Sequence, residues 1–240
     1  MAKPLHCYNY DAQLKATLKH MAGYPQLLPF IGNAWEQQIS RVLFVAESHY
    51  LPETSNGKSN SETWYNNDAS FLNPTEIGWS HTRGVVTAAD QYAVDKKHFA
   101  KGHSIFYNLK KAIFEAWKIK NTGQTLFQHF GYYNYFQRPA EITGKSIINA
   151  GLDNRIAYYT IKAIAESTKP TTIIFVSKKA YNSFGYWRRQ EMDRVFADTV
   201  VYHVPHPASA WWNKKSKAYN NLTGRARFIE ILKDMKYQLN

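Results

Sequence analysis

Glu47 and His206 are the residues whose types and settings best suit chemistry. Glu47 closes the strand-forming run Val42-Leu43-Phe44-Val45-Ala46-Glu47 and is followed by Ser48, His49 and Tyr50. His206 follows a second such run, in Val200-Val201-Tyr202-His203-Val204-Pro205-His206-Pro207-Ala208-Ser209. The carboxyl ends of parallel strands in an open α/β sheet converge on one crevice, so the two can face one ligand. There a carboxylate can orient or deprotonate a water, and an imidazole can donate a hydrogen bond to an oxygen that gains charge. A charged group directly after a buried strand is costly without a purpose. The ordinary alternatives are a helix cap or lysine partner for Glu47, and a packed or surface ring for His206.

The rest of the composition indicates what such a pair would act on. The 240 residues carry 30 Lys and Arg against 18 Asp and Glu, a formal net charge of +12. That balance favours a phosphate-bearing partner, with a solvated basic surface as the alternative. Aromatics are plentiful, at 7 Trp, 17 Tyr and 13 Phe, while the mean hydropathy is −0.50. The single cysteine, Cys7, excludes an intrachain disulfide framework and cysteine-ligated zinc or iron–sulfur sites. No apolar run reaches membrane-spanning length, and Met1 to Cys7 lack the apolar core of a signal peptide. The expected setting is cytoplasmic or nucleoid, with no membrane partner and no obligatory protein partner evident.

The elements that must position these residues alternate helix and strand. Helical periodicity runs from Asp11 to about Met21 and is closed by Gly23-Tyr24-Pro25. Strands are predicted at 41–45, 132–136, 171–176 and 199–204. Helices are predicted from Ser104 to about Lys118, from Asp153 (as N-cap) to about Ser167, from Lys178, and over the Phe228, Ile231, Leu232, Met235 stripe. From Leu51 to about Gly84 the chain is rich in Asn, Ser, Thr, Gly and Pro, with Trp64, Tyr65, Phe71 and Trp79 set into it, and reads as a long functional loop. The prediction is one domain over 1–240: a three-layer α/β/α sandwich around a central, mostly parallel four-stranded sheet.

In order and spacing, these motifs resemble the uracil-DNA glycosylase superfamily over roughly residues 40 to 215. The resemblance lies in a strand followed by Ala46-Glu47-Ser48-His49-Tyr50, a strand carrying Asn134, a strand followed by Ser177-Lys178-Lys179-Ala180, and a strand followed by His206-Pro207-Ala208-Ser209. The His-Pro pair after the last strand is its most specific element. Glu47 matches the Glu of the family's G-E-A-P-G form, Tyr50 the Tyr beside the base, Asn134 the base-reading Asn, and His206 the His of H-P-S-P. Departures fall at Ala46 (family Gly), at Ser48 and His49, at Ala208 (family phosphate-binding Ser) and at Ser209 (family Pro). Members with G-E-A-P-G hold a cysteine-bound iron–sulfur cluster, which this chain cannot, so the resemblance is to a divergent branch.

The resemblance implies a monofunctional DNA glycosylase that flips a base and hydrolyses its N-glycosidic bond, with DNA as partner and no metal or cofactor. Glu47 and His206 would be catalytic, while Tyr50, Asn134, Phe71 and His49 would bind the base. An Asn suits this because it presents both a donor and an acceptor to a pyrimidine edge. Ser209, Trp211, Trp212, Lys178, Lys179, Lys214 and Lys215 would contact DNA, one tryptophan serving as the wedge. Adjacent tryptophans cannot both enter the core from a regular strand. The 51–84 stretch and the motif departures are where uracil specificity would be written. They leave open a modified base, as in defence against phage with altered DNA. Two other readings stand beside this one: a nucleic-acid-binding protein of the same fold without turnover, and a metal-dependent hydrolase using His49, His206 and a carboxylate. The sequence offers no H-x-x-x-H or H-x-H pattern on one element for the latter.

Overall fold

The computed structural model describes residues 5–55, 58–92, 103–119, 125–192 and 194–235. The chain opens with helices α1 (Asp11–Thr17) and α2 (Lys19–Gly23), the short strand β1 (Phe30–Ile31) and the long strand β2 (Val42–His49). Helices α3 (Ser61–Tyr65), α4 (Pro74–Ser80), α5 (Thr82–Tyr92) and α6 (Ser104–Ala116) precede β3 (Gly131–Pro139). Then come α7 (Gly151–Thr168), β4 (Thr172–Phe175), α8 (Lys178–Glu191) and β5 (Val200–His203). A small hairpin, β6 (Lys215–Ser216) with β7 (Leu222–Thr223), leads into α9 (Gly224–Lys233).

The sheet order is β1-β3-β2-β4-β5, with β3, β2, β4 and β5 mutually parallel and β1 antiparallel on the β3 edge. Alternation along β2 divides the core. Val42, Phe44 and Ala46 join Val86 of α5, Leu109 of α6 and Phe228 of α9. Leu43 and Val45 join Leu14 of α1, Ile161 of α7 and Phe184 of α8 on the other face. Helices therefore cover both faces of the central strand, which explains its almost unbroken apolar run.

Several expectations need correction. Among the described residues the sheet has five strands, not four. β1 is two residues long, too short for any period to show, and it follows Pro29. The 51–84 stretch is organised, not a loop: it holds α3, α4, a 3-10 turn at Ala69–Phe71 and the start of α5. Its polar residues are helix caps. Asn60 accepts from the Thr63 amide, Asp68 from Ser70, and Asn73 forms a capping box with Glu76. Trp64 stacks on Tyr24 at 4.4 Å in a small core of its own with Leu27, Leu51 and Leu72. Asn56 and Gly57 lie outside the described residues, as do residues 1–4 of the segment read for a signal peptide.

The first helical stripe breaks in two, because Leu18 is extended (φ −118°, ψ 97°). Lys118, at φ 54°, lies past the end of α6, and Met235 lies past the end of α9. Asp153 is the third residue of α7 and not its N-cap. Its carboxylate accepts from the Ala150 amide (2.7 Å) and pairs with Arg138 Nε (2.8 Å) and Nη2 (3.0 Å). Both charges are buried, and Arg138 also donates to the carbonyls of Ser59 and Ile148 (2.7 Å). One guanidinium thus ties the carboxyl end of β3 to the segments on either side of the crevice.

Candidate active site

Glu47 shares the alternation of Leu43 and Val45 and so emerges on the α7–α8 side of the sheet. Its Oε1 accepts from the Ser146 hydroxyl and the Ile147 amide (3.2 Å), and its Oε2 from the Ser177 hydroxyl (2.8 Å). Ser177 is the N-cap of α8 and itself accepts from the Ala180 amide (3.2 Å). A serine directly before a helix is a sequence-level N-cap signal, but that its hydroxyl also reaches Glu47 is a product of the tertiary fold. Ser146 carries no such signal, since it stands in an irregular segment that only the tertiary fold brings alongside. Lys179 donates to the Ile147 carbonyl, fixing the same segment from α8.

His206 sits beyond β5 in a loop held from three sides. Val204 donates its amide to Phe175 (2.9 Å), Ser209 donates its amide back to the His206 carbonyl (2.8 Å), and Asn108 of α6 donates to the Pro207 carbonyl (2.8 Å). Gly224, opening α9, approaches closely: a Cβ there would stand 2.7 Å from Pro205. The Ala208 amide donates to His206 Nδ1 (3.2 Å), so the neutral ring carries its proton on Nε2. Burial pushes the imidazole below its ordinary 6.5, and the Glu47 carboxylate pulls in the other direction. Glu47 on β2 and His206 after β5 stand on strands separated by β4.

Asn134 is half-buried on β3 opposite Ala46, and its amide nitrogen lies 3.2 Å from His49 Nδ1. Alternation lapses at these strand ends. The β2–β3 register shifts between Ser48 and His49, and consecutive Tyr135 and Phe136 enter the same core cluster. His49 is 4% exposed, and burial drives its imidazole down to about 3, with His81 adding to the effect. His81 lies between α4 and α5, where its Nδ1 accepts from the Gly84 amide (3.0 Å). The neighbouring Arg83 is clamped to Asp11 (2.8 Å). Sequence reading missed His81 because its surroundings looked like loop. Tyr50 is half-buried beside Glu47, and burial first and that carboxylate second raise its hydroxyl above the ordinary value.

The remaining candidates separate. Phe71 packs with Trp64 and Leu72 in the small third core, beneath the Lys58 ammonium (5.1 Å). Trp211 is 58% exposed, whereas Trp212 is 1% exposed and packs on Phe228. Trp212 is corrected from a DNA-contact candidate to a core residue that anchors the loop, because a ring so enclosed has no face left for a ligand. Ser209 is half-buried, with its hydroxyl oxygen enclosed and unbonded. Lys178, Lys214 and Lys215 are exposed; Lys178 lies near His203, whose imidazole is lowered by burial and by that charge. His203 stacks on Tyr181 at 4.1 Å. Among the described residues, no group of three or more His, Cys, Asp or Glu is arranged to hold a metal ion, and no helix is long and apolar enough to cross a membrane. No protein-family model matches this chain, and no curated protein matches it either.

Proposed function

We propose that this chain is a DNA glycosylase, a divergent relative of the uracil-DNA glycosylases, which flips a uracil or modified base into the crevice at the carboxyl ends of β2, β3 and β5. The observation that carries the reading is that Glu47, His206 and the Asn134–His49 pair stand at or near those strand ends, brought there from three separate stretches of sequence. Breaking the C1′–N bond leaves positive charge on the sugar and negative charge on the base. Glu47, oriented by Ser146, Ile147 and Ser177, takes the proton from the attacking water as its oxygen bonds to C1′. The electron pair of the broken bond leaves with the base, and the Nε2–H of neutral His206 donates to the carbonyl oxygen where that charge gathers. Asn134 reads the base edge, with its amide oriented by His49, and Tyr50 walls the pocket. Trp211 is available to fill the vacated stack. Lys179 is engaged by the Ile147 carbonyl, which favours an abasic-site product over lyase cleavage.

The test is base release from DNA substrates carrying uracil and modified bases, read as alkali-induced cleavage at the abasic site. Glu47→Gln should lower release at least about a hundredfold, the usual scale for a general base. Selective release of uracil would remove the modified-base idea. One observation favours a second reading, a DNA-binding protein without turnover: both Glu47 oxygens are engaged by donors that also hold the loop together. Undiminished DNA binding by Glu47→Gln and His206→Ala, with no release from any substrate, would select it.

A further inference from the structure

Beside the Glu47 crevice, a recess of about 740 Å³ runs along α8 against the start of α7. Its walls include Asn149, Lys178, Lys179, Asn182, Tyr186 and Trp187, and among the described residues no carboxylate lines it. The volume is that of an ordinary ligand site. Tyr186 is 54% exposed and is held edge-on by Trp187 at 6.0 Å. Trp187 is steadied in turn by Tyr158, nearly parallel at 26°. The floor is already satisfied: Ser183 (2.7 Å) and Asn149 (2.8 Å) both donate to Asn154 Oδ1. What stays available is an aromatic surface and the exposed ammonium of Lys178, about 12 Å apart along the helix at 1.5 Å per residue. The recess and Glu47 share one chain segment: Asn149 lines the recess, while Ile147 donates to Glu47 and accepts from Lys179, itself a wall of the recess.

We propose that this recess is a single-stranded DNA subsite for nucleotides flanking the one held at Glu47. A base stacks on Tyr186, and the phosphate backbone pairs with Lys178. A stacking ring beside a cation, without opposing carboxylates, is the combination that holds single strands regardless of sequence. The inference rests on the reading of the chain as a DNA-acting protein, but not on turnover.

Fluorescence anisotropy with a labelled oligothymidylate, which carries no base to be excised, tests it. Tyr186→Ala should weaken binding about tenfold, the scale of one lost stack. Tyr186→Phe should bind like the wild type, and Lys178→Glu should both weaken binding and flatten its salt dependence. Tyr186 and Lys178 are exposed, so a matching thermal midpoint separates lost contact from misfolding. Unchanged binding in Tyr186→Ala and Lys178→Glu overturns the subsite, whatever the protein does to DNA bases. Absent binding by the wild type overturns it as well. Binding that depends on Tyr186 in a protein releasing no base supports the subsite while the glycosylase reading fails.

Discussion

At the scale of single residues, two imidazoles in the crevice are kept neutral by different means. His206 is lowered by burial against a counteracting carboxylate, and a backbone amide fixes its tautomer. His49 is enclosed, held at about 3 in the folded chain against an ordinary 6.5. Below pH 6.5 the unfolded chain binds the proton that folded His49 refuses, so stability falls as the pH drops from 6.5 toward 3. His6 and His20, each pushed to about 4 chiefly by burial, act in the same direction. Thermal unfolding should show a midpoint that is steady above pH 7 and declines between pH 6.5 and 5. His49 alone contributes about 2 kcal/mol of that loss. His49→Gln should flatten part of the decline, and a midpoint independent of pH over this window would contradict a buried neutral ring.

At the scale of elements, the crevice depends on irregular segments pinned by buried charge. Arg138 and Asp153 join the end of β3 to the start of α7 and to the segment that carries Ser146 and Ile147. Lys110 and Asp90 do the same behind the sheet, where Asp90 accepts from the Leu126 and Phe127 amides ahead of β3. Breaking one partner of such a pair leaves an uncompensated buried charge. Asp153→Ala still leaves Arg138 with Glu141 as its remaining carboxylate (2.7 Å) but the Ala150 amide without its acceptor, and should cost about 1–3 kcal/mol in urea unfolding. The loss should carry base release down with it, because the Glu47 donors lose their support. A cost below about 1 kcal/mol would mean that Arg138 finds water or another acceptor. How much of this was readable differs by element. The central strands were visible as apolar runs, whereas α3 and α4 were hidden because their caps, Asn60 and Asn73, look like loop residues until the amides they serve are known.

At the scale of the whole molecule, the +12 charge sets the expected interaction with DNA. Lys214, Lys215 and Lys217 stand exposed on and around the β6–β7 hairpin, next to exposed Trp211, while Arg225 is already paired with Glu115. Each lysine that neutralises a phosphate contributes about 0.9 to the slope of log affinity against log salt. Replacing all three by Gln should lower that slope by up to about 2.7 in anisotropy titrations on duplex DNA. An unchanged slope would mark them as a solvated surface.

What the sequence alone determined follows from local rules. Apolar runs alternating with helical stripes suit strands covered by helices, so the α/β class and the mostly parallel sheet were readable from the sequence. Glu47 and His206 stood out for the same reason, as polar groups where such runs stop. What only the tertiary structure decided is who meets whom. Ser146 and Ser177 reach Glu47, Asn108 reaches the His206 loop, and His81 lies near His49, each from a distant stretch with no periodic signal of its own. Trp211 and Trp212 make the point most directly. Both are tryptophans with almost identical neighbours in sequence, yet packing against Phe228 buries one and leaves the other to solvent. Burial is a property of the assembled surfaces, and no pattern local to the chain encodes it.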